Sequence, residues 1–561
     1  MTARIRPYFN CSAVLLCATS VFAQTTLREW QGAANGDALG AGIANVGDFD
    51  GDGIDDFALG IPGDDTLGPN RGAVSVVSGA DGHEIQRYFG GLTETGFGSS
   101  VMRLGDVDLD GTVDLVVGSL PMGPNELNVP TRFSVLSGTN GSLLWSHSLA
   151  TLGNGRGVAV VVLGDVNVDG RLDIGIGNPN EGATGASGRV RVFSGIDGVQ
   201  LHNVVGAGDY VGNVYGLAPA GDLDGDGRAD WWMSYGSLFQ ASHAQARSGF
   251  DGHVLFDLTL PLEYYEYTGV RFVGGNDLDG DGVPDLVVGS HGSPGKGGYG
   301  PGHVYAYSGA THAILWSRVG ADQYERIGLY VYDVGDIDGD GVRDVATSVG
   351  FNYPGQINSA RFFSGATGAD IGVTVPFAPG SALLNLCAAG DVDGDGHGDW
   401  IGARFTTGFF GQLTFGSGVV QVQTFAREAL RADRFALNHA TGGVQLLSLD
   451  FGAPFAGRNY LVLGSLTGTT PGIATSAGLI PLTVDPYFWS TRRAVGSGHL
   501  TGASGVLDAH GRATASFNLA PDSQRFPVGT ILRHAAVVLD ASGTSPAAVS
   551  RAVPLLVKLG G

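Results

Sequence analysis

The sequence predicts an all-β protein: a seven-bladed β-propeller followed by a small C-terminal β-sandwich-like domain. Three observations lead there. Gly makes up 95 of 561 residues, about 17%, against about 7% in ordinary usage, with no Gly-X-Y period. Charged residues are only 15% and apolar residues 43%, which excludes global disorder and describes a core-forming chain rich in tight turns. One acidic loop recurs seven times at a spacing of 55 to 59 residues, and a constant period of that length marks a repeat architecture.

The loop has the form Asp-x-Asp-x-Asp-Gly-x-x-Asp. Its copies are Asp48-Asp50-Asp52-Gly53-Asp56, Asp106-Asp108-Asp110-Gly111-Asp114 and Asp165-Asn167-Asp169-Gly170-Asp173. Then come Asp222-Asp224-Asp226-Gly227-Asp230 and Asp277-Asp279-Asp281-Gly282-Asp285. The last two are Asp336-Asp338-Asp340-Gly341-Asp344 and Asp391-Asp393-Asp395-Gly396-Asp399. Side chains at positions 1, 3 and 5 converge when such a loop curls, and Gly at position 6 permits the sharp turn. A carbonyl at position 7 and the carboxylate at position 9 complete a shell of hard oxygens. A flexible all-oxygen shell suits Ca²⁺ better than Mg²⁺, and the lack of Cys or His at these positions disfavours Zn²⁺. About seven Ca²⁺ sites are therefore expected. The EF-hand's bidentate Glu at position 12 is missing: that place holds Leu59, Val117, Ile176, Met233, Val288, Thr347 and Gly402. Strand-like runs follow the loops directly, so they sit between β-strands and not between helices.

Net charge is −23, from 54 acids and 31 bases, which argues against nucleic acid or an anionic membrane as partner. Uncompensated, each loop crowds like charges together and opposes the compact state. The N-terminus reads as a secretory leader: Arg4 and Arg6, an apolar run from Ala13 to Phe22, and Val21-Phe22-Ala23 as cleavage site. Cleavage after Ala23 removes Cys11 and Cys17, leaving Cys387 and no intramolecular disulfide. No stretch approaches the ~18 apolar residues of a membrane span. A secreted or cell-surface location is the expectation.

Each unit reads as four strands. In the second copy these are Gly98 to Leu104, Leu115 to Gly118, Phe133 to Ser137 and Leu143 to Ser148. The third strand ends in Ser-Gly in six copies: Ser78-Gly79, Ser137-Gly138, Ser194-Gly195, Ser248-Gly249, Ser308-Gly309 and Ser364-Gly365. Asp81-Gly82, Asn140-Gly141, Asp197-Gly198 and Asp251-Gly252 then signal hairpins. Four antiparallel strands repeated radially make a propeller blade.

With Gly96-Phe97-Gly98 as an "FG" element and Gly60-Ile61-Pro62 and Gly177-Asn178-Pro179 as "GAP" elements, the unit resembles the FG-GAP repeat of the integrin α-chain N-terminal propeller. Gly157, Gly216 and Gly328 keep the glycine without Phe, and Gly289-Ser290 lacks the Pro. The resemblance spans about residues 25–424. It implies seven blades, calcium in the loops, and a ligand face opposite them.

The domain plan follows: leader 1–23, propeller 24–424, linker or short helix 425–440, and a sandwich-like domain 441–561. In the seventh unit Gln412 to Ser417 is expected as third strand. Leu27 to Gln31 is expected to pair into that last blade and close the ring, with Val419 to Thr424 as the alternative for that place. Strand-like runs in the C-terminal region are Val444 to Leu449, Tyr460 to Leu463, Leu479 to Val484, Ala513 to Asn518, Ile531 to Leu539 and Val553 to Val557. This region faintly resembles C-terminal modules of other secreted bacterial repeat proteins.

Strand order places the calcium loops and the Asp/Asn-Gly turns on one face. The opposite face carries Tyr210, Tyr264, Tyr265, Tyr267, Tyr299, Tyr324, Tyr353, Phe409 and Phe410, a rim suited to sugar rings or peptide side chains. No catalytic residue is assigned. There is no Gly-x-Ser-x-Gly elbow, His-Glu-x-x-His or phosphate loop; His291 and His303 have no evident nucleophile, and His397, inside an acidic loop, is expected to point outward. Calcium-dependent adhesion or recognition of a glycan or extracellular protein is the leading reading. The alternatives are an extracellular carbohydrate-active enzyme, for which Glu263 and Glu266 are the rim carboxylates to consider, and a passive cell-envelope protein.

Overall fold

The computed structural model describes residues 24–91, 94–119, 131–149, 159–178, 188–205, 216–235, 243–261, 266–292, 300–322, 325–350, 359–373, 381–394, 397–406, 416–425, 429–432, 436–452, 455–469, 471–475, 477–493, 499–550 and 552–559. The leader expected at 1–23 lies outside them.

Each acidic loop joins the first and second strands of a four-stranded antiparallel sheet. The first sheet is Ile43–Gly47, Asp56–Ile61, Ala73–Val77 and Glu84–Phe89; the second is Phe97–Gly105, Asp114–Ser119, Thr131–Leu136 and Leu143–Leu149. The next two are Ala159–Gly164, Asp173–Asn178, Arg189–Phe193, Gln200–Val205 and Leu217–Gly221, Asp230–Tyr235, His243–Arg247, Val254–Thr259. The fifth and sixth are Glu266–Asn276, Asp285–Gly292, His303–Tyr307, Ile314–Val319 and Val331–Gly335, Asp344–Val349, Ser359–Phe363, Asp370–Val373. In the seventh, Ser381–Gly390, Asp399–Thr406 and Val419–Phe425 are followed by Gln24–Gln31 from the other end of the chain. First strands pack against first strands of the next sheet, and Ser381–Gly390 packs against Ile43–Gly47. The fold is a β-propeller.

Burial explains the sequence pattern. Second strands such as Asp56–Ile61 and Asp114–Ser119 are buried along their whole length, because a sheet lies on each side of them. They therefore read as unbroken apolar runs, whereas the outermost strand Glu84–Phe89 is half exposed. The core fills the gaps between sheets. Ala58, Val74 and Val76 of the first sheet meet Val101, Leu115 and Val117 of the second; Val116 and Phe133 of the second meet Ile174, Ile176 and Phe193 of the third. Each Val, Leu, Ile or Phe side chain among them contributes roughly 1.5–3 kcal/mol on burial.

Two glycines of the repeat signature meet in one of these gaps. A Cβ on Gly60 would lie 1.8 Å from the Gly98 carbonyl oxygen, and Gly98 itself sits at φ +90°. The "GAP" glycine of one sheet and the "FG" glycine of the next are thus one backbone-to-backbone contact that no side chain fits.

Ring closure takes the form expected for the N-terminal strand and corrects the rest. Gln24–Gln31 is the outermost strand, paired antiparallel with Val419–Phe425, so that Trp30 faces Val420. The third place is therefore held by Val419–Phe425 and not by Gln412 to Ser417, of which 412–415 lie outside the described residues. Val420 and Val422 are fully buried, and this pairing puts them in the core with Phe57 and Ile401. Ser417-Gly418, which resembles the end of a third strand, instead precedes it; the Ser417 carbonyl accepts the Leu39 N–H at 3.0 Å.

The C-terminal region is a two-sheet sandwich. One sheet orders Leu430–Ala432, Gly443–Asp450, Arg512–Leu519 and Leu500–Thr501; the other orders Ala436–Asn438, Val553–Lys558, Ile531–Leu539, Asn459–Ser465 and Ser504–Val506. Leu447, Leu449 and Phe517 of the first pack on Val462, Leu532, Ala536 and Leu555 of the second. Residues 430–432 and 436–438, read from sequence within a linker or short helix, are strands of these sheets. The run expected at Leu479 to Val484 is strand only over Gly478–Ile480, and a helix, Pro486–Arg493, follows it. Its signal was the Asp-Pro pair: Asp485 Oδ1 accepts the Phe488 N–H at 2.7 Å, an N-cap with Pro at the first helical position.

Candidate metal centres

The curl predicted from the loop spacing is present. Carboxylate oxygens of Asp48, Asp50 and Asp56 lie within 4.8 Å of one another, as do those of Asp106, Asp108 and Asp110, of Asp222, Asp224 and Asp230, of Asp277, Asp279 and Asp285, and of Asp336, Asp338 and Asp344. Backbone N–H groups hold the curl. In the fourth loop Asp222 accepts from Gly225 at 2.8 Å, Asp226 at 3.0 Å and Gly227 at 2.8 Å. Asp224 accepts from Asp226 at 3.1 Å, and Asp226 from Arg228 at 2.9 Å. The third loop, with Asn167 at position 3, makes the same turn: Asp165 accepts from Asp169 at 3.0 Å and Gly170 at 2.8 Å. Asp395, in the seventh loop, lies outside the described residues.

Position 9 differs from the others. Asp56, Asp114, Asp173, Asp230 and Asp344 are fully buried, and Asp285 and Asp399 nearly so. One oxygen accepts the N–H of position 2, at 2.7 Å from Phe49 to Asp56 and 2.6 Å from Leu278 to Asp285. In the first six loops the other accepts the N–H of the Ser-Gly glycine at the end of the third strand, as in Gly79 to Asp56 at 3.0 Å and Gly249 to Asp230 at 2.7 Å. The recurring Ser-Gly, noticed in the sequence without a role, is the partner of this aspartate. Burial pushes these carboxyls up, against the pull of the backbone N–H bonds: Asp173 and Asp230 to about 6, and Asp344 to about 8 with the Asp338 charge adding to burial. Asp56, Asp114 and Asp285 are raised for the same first reason.

The donor set fits a divalent cation: clustered carboxylates, no thiolate or imidazole among them, and like charges that a cation would neutralise. Positions 1 and 3 supply the exposed oxygens, while position 9 anchors the loop to the sheet.

Other sequence-predicted features fall differently. The rim aromatics Tyr210, Tyr264, Tyr265, Tyr299, Tyr324, Tyr353, Phe409 and Phe410 lie outside the described residues, as does Glu263. Glu266 and Tyr267 enter only as backbone of strand Glu266–Asn276. A cavity of about 560 Å³ opens on the acidic-loop side, where Asn45, Asp55, Arg103, Arg343 and His397 converge from four sheets. His397 does not point outward as expected. It is buried, with Nε2 3.0 Å from Asp450 Oδ2 of the C-terminal module; contact from so distant a segment left no local signal in the sequence. Among the described residues no helix is long and apolar enough to cross a membrane.

Comparison with known proteins agrees with this architecture. The FG-GAP repeat model matches residues 268–307. The chain is 32% identical to Integrin alpha-PS2 of Drosophila melanogaster over 206 residues, which are 32% of this chain and 14% of that protein. It is 31% identical to Integrin alpha-5 of Xenopus laevis over 215 residues, 35% of this chain and 20% of that one. With Integrin alpha-8 of Homo sapiens it shares 32% over 205 residues, 34% of this chain and 18% of that protein. The match thus spans a fifth or less of the length of these relatives. The repeated sheets, the glycine contacts between them and these similarities support an FG-GAP, integrin α-like β-propeller protein.

Proposed function

We propose that this chain is an extracellular recognition module whose propeller is ordered by Ca²⁺ in its acidic loops, and that it binds a glycan or extracellular protein on the face away from those loops. The observation that carries the reading is the convergence of carboxylates in loop after loop, at positions 1, 3 and 9 in the first, fourth, fifth and sixth and at positions 1, 3 and 5 in the second. The sites are those of the seven loops, from Asp48 to Asp56 through Asp391 to Asp399, and the metal is mainly structural. It takes the place that disulfides occupy in other secreted proteins, since Cys387 is the one cysteine after the expected leader. Likeness to integrin α chains supports adhesion over catalysis.

The test is a calcium-stripped full chain titrated with CaCl₂, then screened against glycans and matrix proteins in calcium and in chelator, with soluble products assayed in the same wells. Binding of several Ca²⁺ per chain and calcium-dependent retention without products is the expected result. Product release would replace recognition by catalysis, and an absence of calcium uptake would remove the metal from the reading.

A further inference from the structure

The C-terminal module rests on the sixth acidic loop. Asp450 and Arg512 face each other at the end of one sheet of the sandwich, and Arg512 Nε donates to Asp450 Oδ2 at 3.1 Å. Arg512 Nη1 also donates to the carbonyl of Gly339, position 4 of the sixth loop, at 3.4 Å. His397 lies between the modules: Nε2 is 2.8 Å from Arg512 Nη2, and Nδ1 is 3.3 Å from the carbonyl of Ile337, position 2 of that loop. Its neighbour Gly398 donates to the Asp336 carbonyl at 2.7 Å.

A second observation sets this loop apart. A Cβ on Gly339 would meet the His397 ring at 2.4 Å and Arg512 Nη2 at 2.5 Å, whereas at the same loop position Gly51, Gly225 and Gly280 have nothing within 4 Å. Asp338 is correspondingly half-buried, while Asp50, Asp108, Asp224 and Asp279 at the same position are exposed.

We propose that Arg512 and Asp450 are positioning residues for a cation in the sixth loop, so that binding of Ca²⁺ by Asp336, Asp338, Asp340 and Asp344 and docking of the C-terminal module favour each other. This rests on the cation reading above. The loop binds when its backbone is curled with the side chains of positions 1 and 3 together. Arg512 and His397 fix the carbonyls of positions 4 and 2 in that curl. Arg512 is paired with Asp450, so it brings little net positive charge toward the ion. A bound cation in turn holds those carbonyls where the module needs its acceptors. Coupling of this kind is reciprocal: whatever the module adds to calcium affinity, calcium adds to docking.

The experiment uses the full chain, stripped of calcium, with calorimetric titration of CaCl₂ and limited proteolysis between propeller and module at each calcium level. In the wild type, calcium should slow that cleavage. Arg512→Gln and Asp450→Asn should weaken one site by about tenfold, leave the others unchanged and abolish the protection. Asp336→Asn reads the coupling from the other side: it should speed cleavage, and Asp222→Asn, in a loop with no hydrogen bond to the module among the described residues, should not. Should Arg512→Gln fail to fold, this second pair still decides. Equal cleavage in Asp336→Asn and Asp222→Asn, or unchanged isotherms in the Arg512 and Asp450 variants, would overturn the coupling while leaving the cation reading intact. A wild type that takes up no calcium would overturn both.

Discussion

Gly138 donates its N–H to Asp114 Oδ1 at 3.0 Å, and its carbonyl accepts the Tyr88 hydroxyl of the preceding sheet. One glycine therefore joins the acidic loop of its own sheet to the outer strand of its neighbour. The inward half of this junction recurs at Gly79, Gly195, Gly249, Gly309 and Gly365. The outward half recurs with other side chains: Trp145 donates to the Gly195 carbonyl at 2.8 Å and Trp316 to Gly365 at 2.7 Å. Loop conformation and ring assembly thus share a set of atoms.

A side chain at Gly138 should break the junction. Its Cβ would fall 2.0 Å from the Val113 carbonyl oxygen, so backbone must move on one side or the other. Gly138→Ala should cost about 3 kcal/mol, as overpacking against a rigid neighbour does. Equilibrium unfolding of the variant checks it; a loss below about 1 kcal/mol would mean the two strands separate easily and that the junction has little weight.

The two kinds of loop aspartate should respond differently to calcium. Asp114→Ala removes the acceptor of three N–H groups, from Gly138, Val107 and Asp108, and leaves buried donors unpaired. It should destabilise by about 3 kcal/mol in chelator, from the unpaired donors alone, and by more in calcium, where a ligand is lost as well. Asp108→Ala, at the exposed position 3, should cost stability in calcium and little in chelator, where its charge is repelled by its neighbours. Thermal unfolding of both variants in both buffers decides. An Asp114→Ala variant that matches wild type in chelator would make position 9 a ligand and nothing more.

Much of this was legible in the sequence, for a reason visible in particular residues. Repetition turns weak local signals into a strong one: a single Asp-x-Asp-x-Asp-Gly is ambiguous, but seven at one period fix the strand order around each. Gly60 and Gly98 are informative because only a glycine fits their contact. What was missed depends on parts of the chain that do not repeat. Ser417-Gly418 resembles a strand end because six other Ser-Gly pairs are strand ends, yet burial of Val420 and Val422 places the strand after it. The contact of His397 with Asp450 and Arg512 joins segments 53 and 115 residues apart, and nothing local in either marks the other.

Position 4 of the loops offers a stabilising change. Val168 holds φ +63° there and is 57% exposed, where Gly51, Gly225, Gly280 and Gly339 take the same left-handed conformation. A β-branched residue in that region is strained, and its exposed side chain gains little in return. Val168→Gly should stabilise the fold by about 1 kcal/mol, the relief exceeding the added chain entropy of the unfolded state. A lower melting temperature would show that Val168 has a contact worth more than its strain.

The C-terminal module carries its own pH dependence. His534 is fully buried, with Nε2 2.9 Å from the Tyr487 hydroxyl and its ring 5.4 Å from that of Phe517. Burial pushes its pKa down to about 4, against about 6.5 in an unfolded chain. The folded form therefore disfavours the proton that the unfolded form accepts. The contribution is whole above pH 6.5 and is lost as pH falls from 6.5 to 4, about 3 kcal/mol when complete. The buried aspartates of position 9 act with the opposite sign, because their folded pKa values are raised: their contribution is whole below the ordinary carboxylate pKa and is lost as pH rises through about 6 for Asp173 and about 8 for Asp344. His534→Gln keeps a partner for Tyr487 without the titration, so subtracting its profile from the wild type isolates the imidazole. The difference in unfolding free energy should grow from near neutrality down to pH 4 and then level off. A difference that stays flat across that range would mean that the ring is protonated inside the core and that an acceptor holds its proton there.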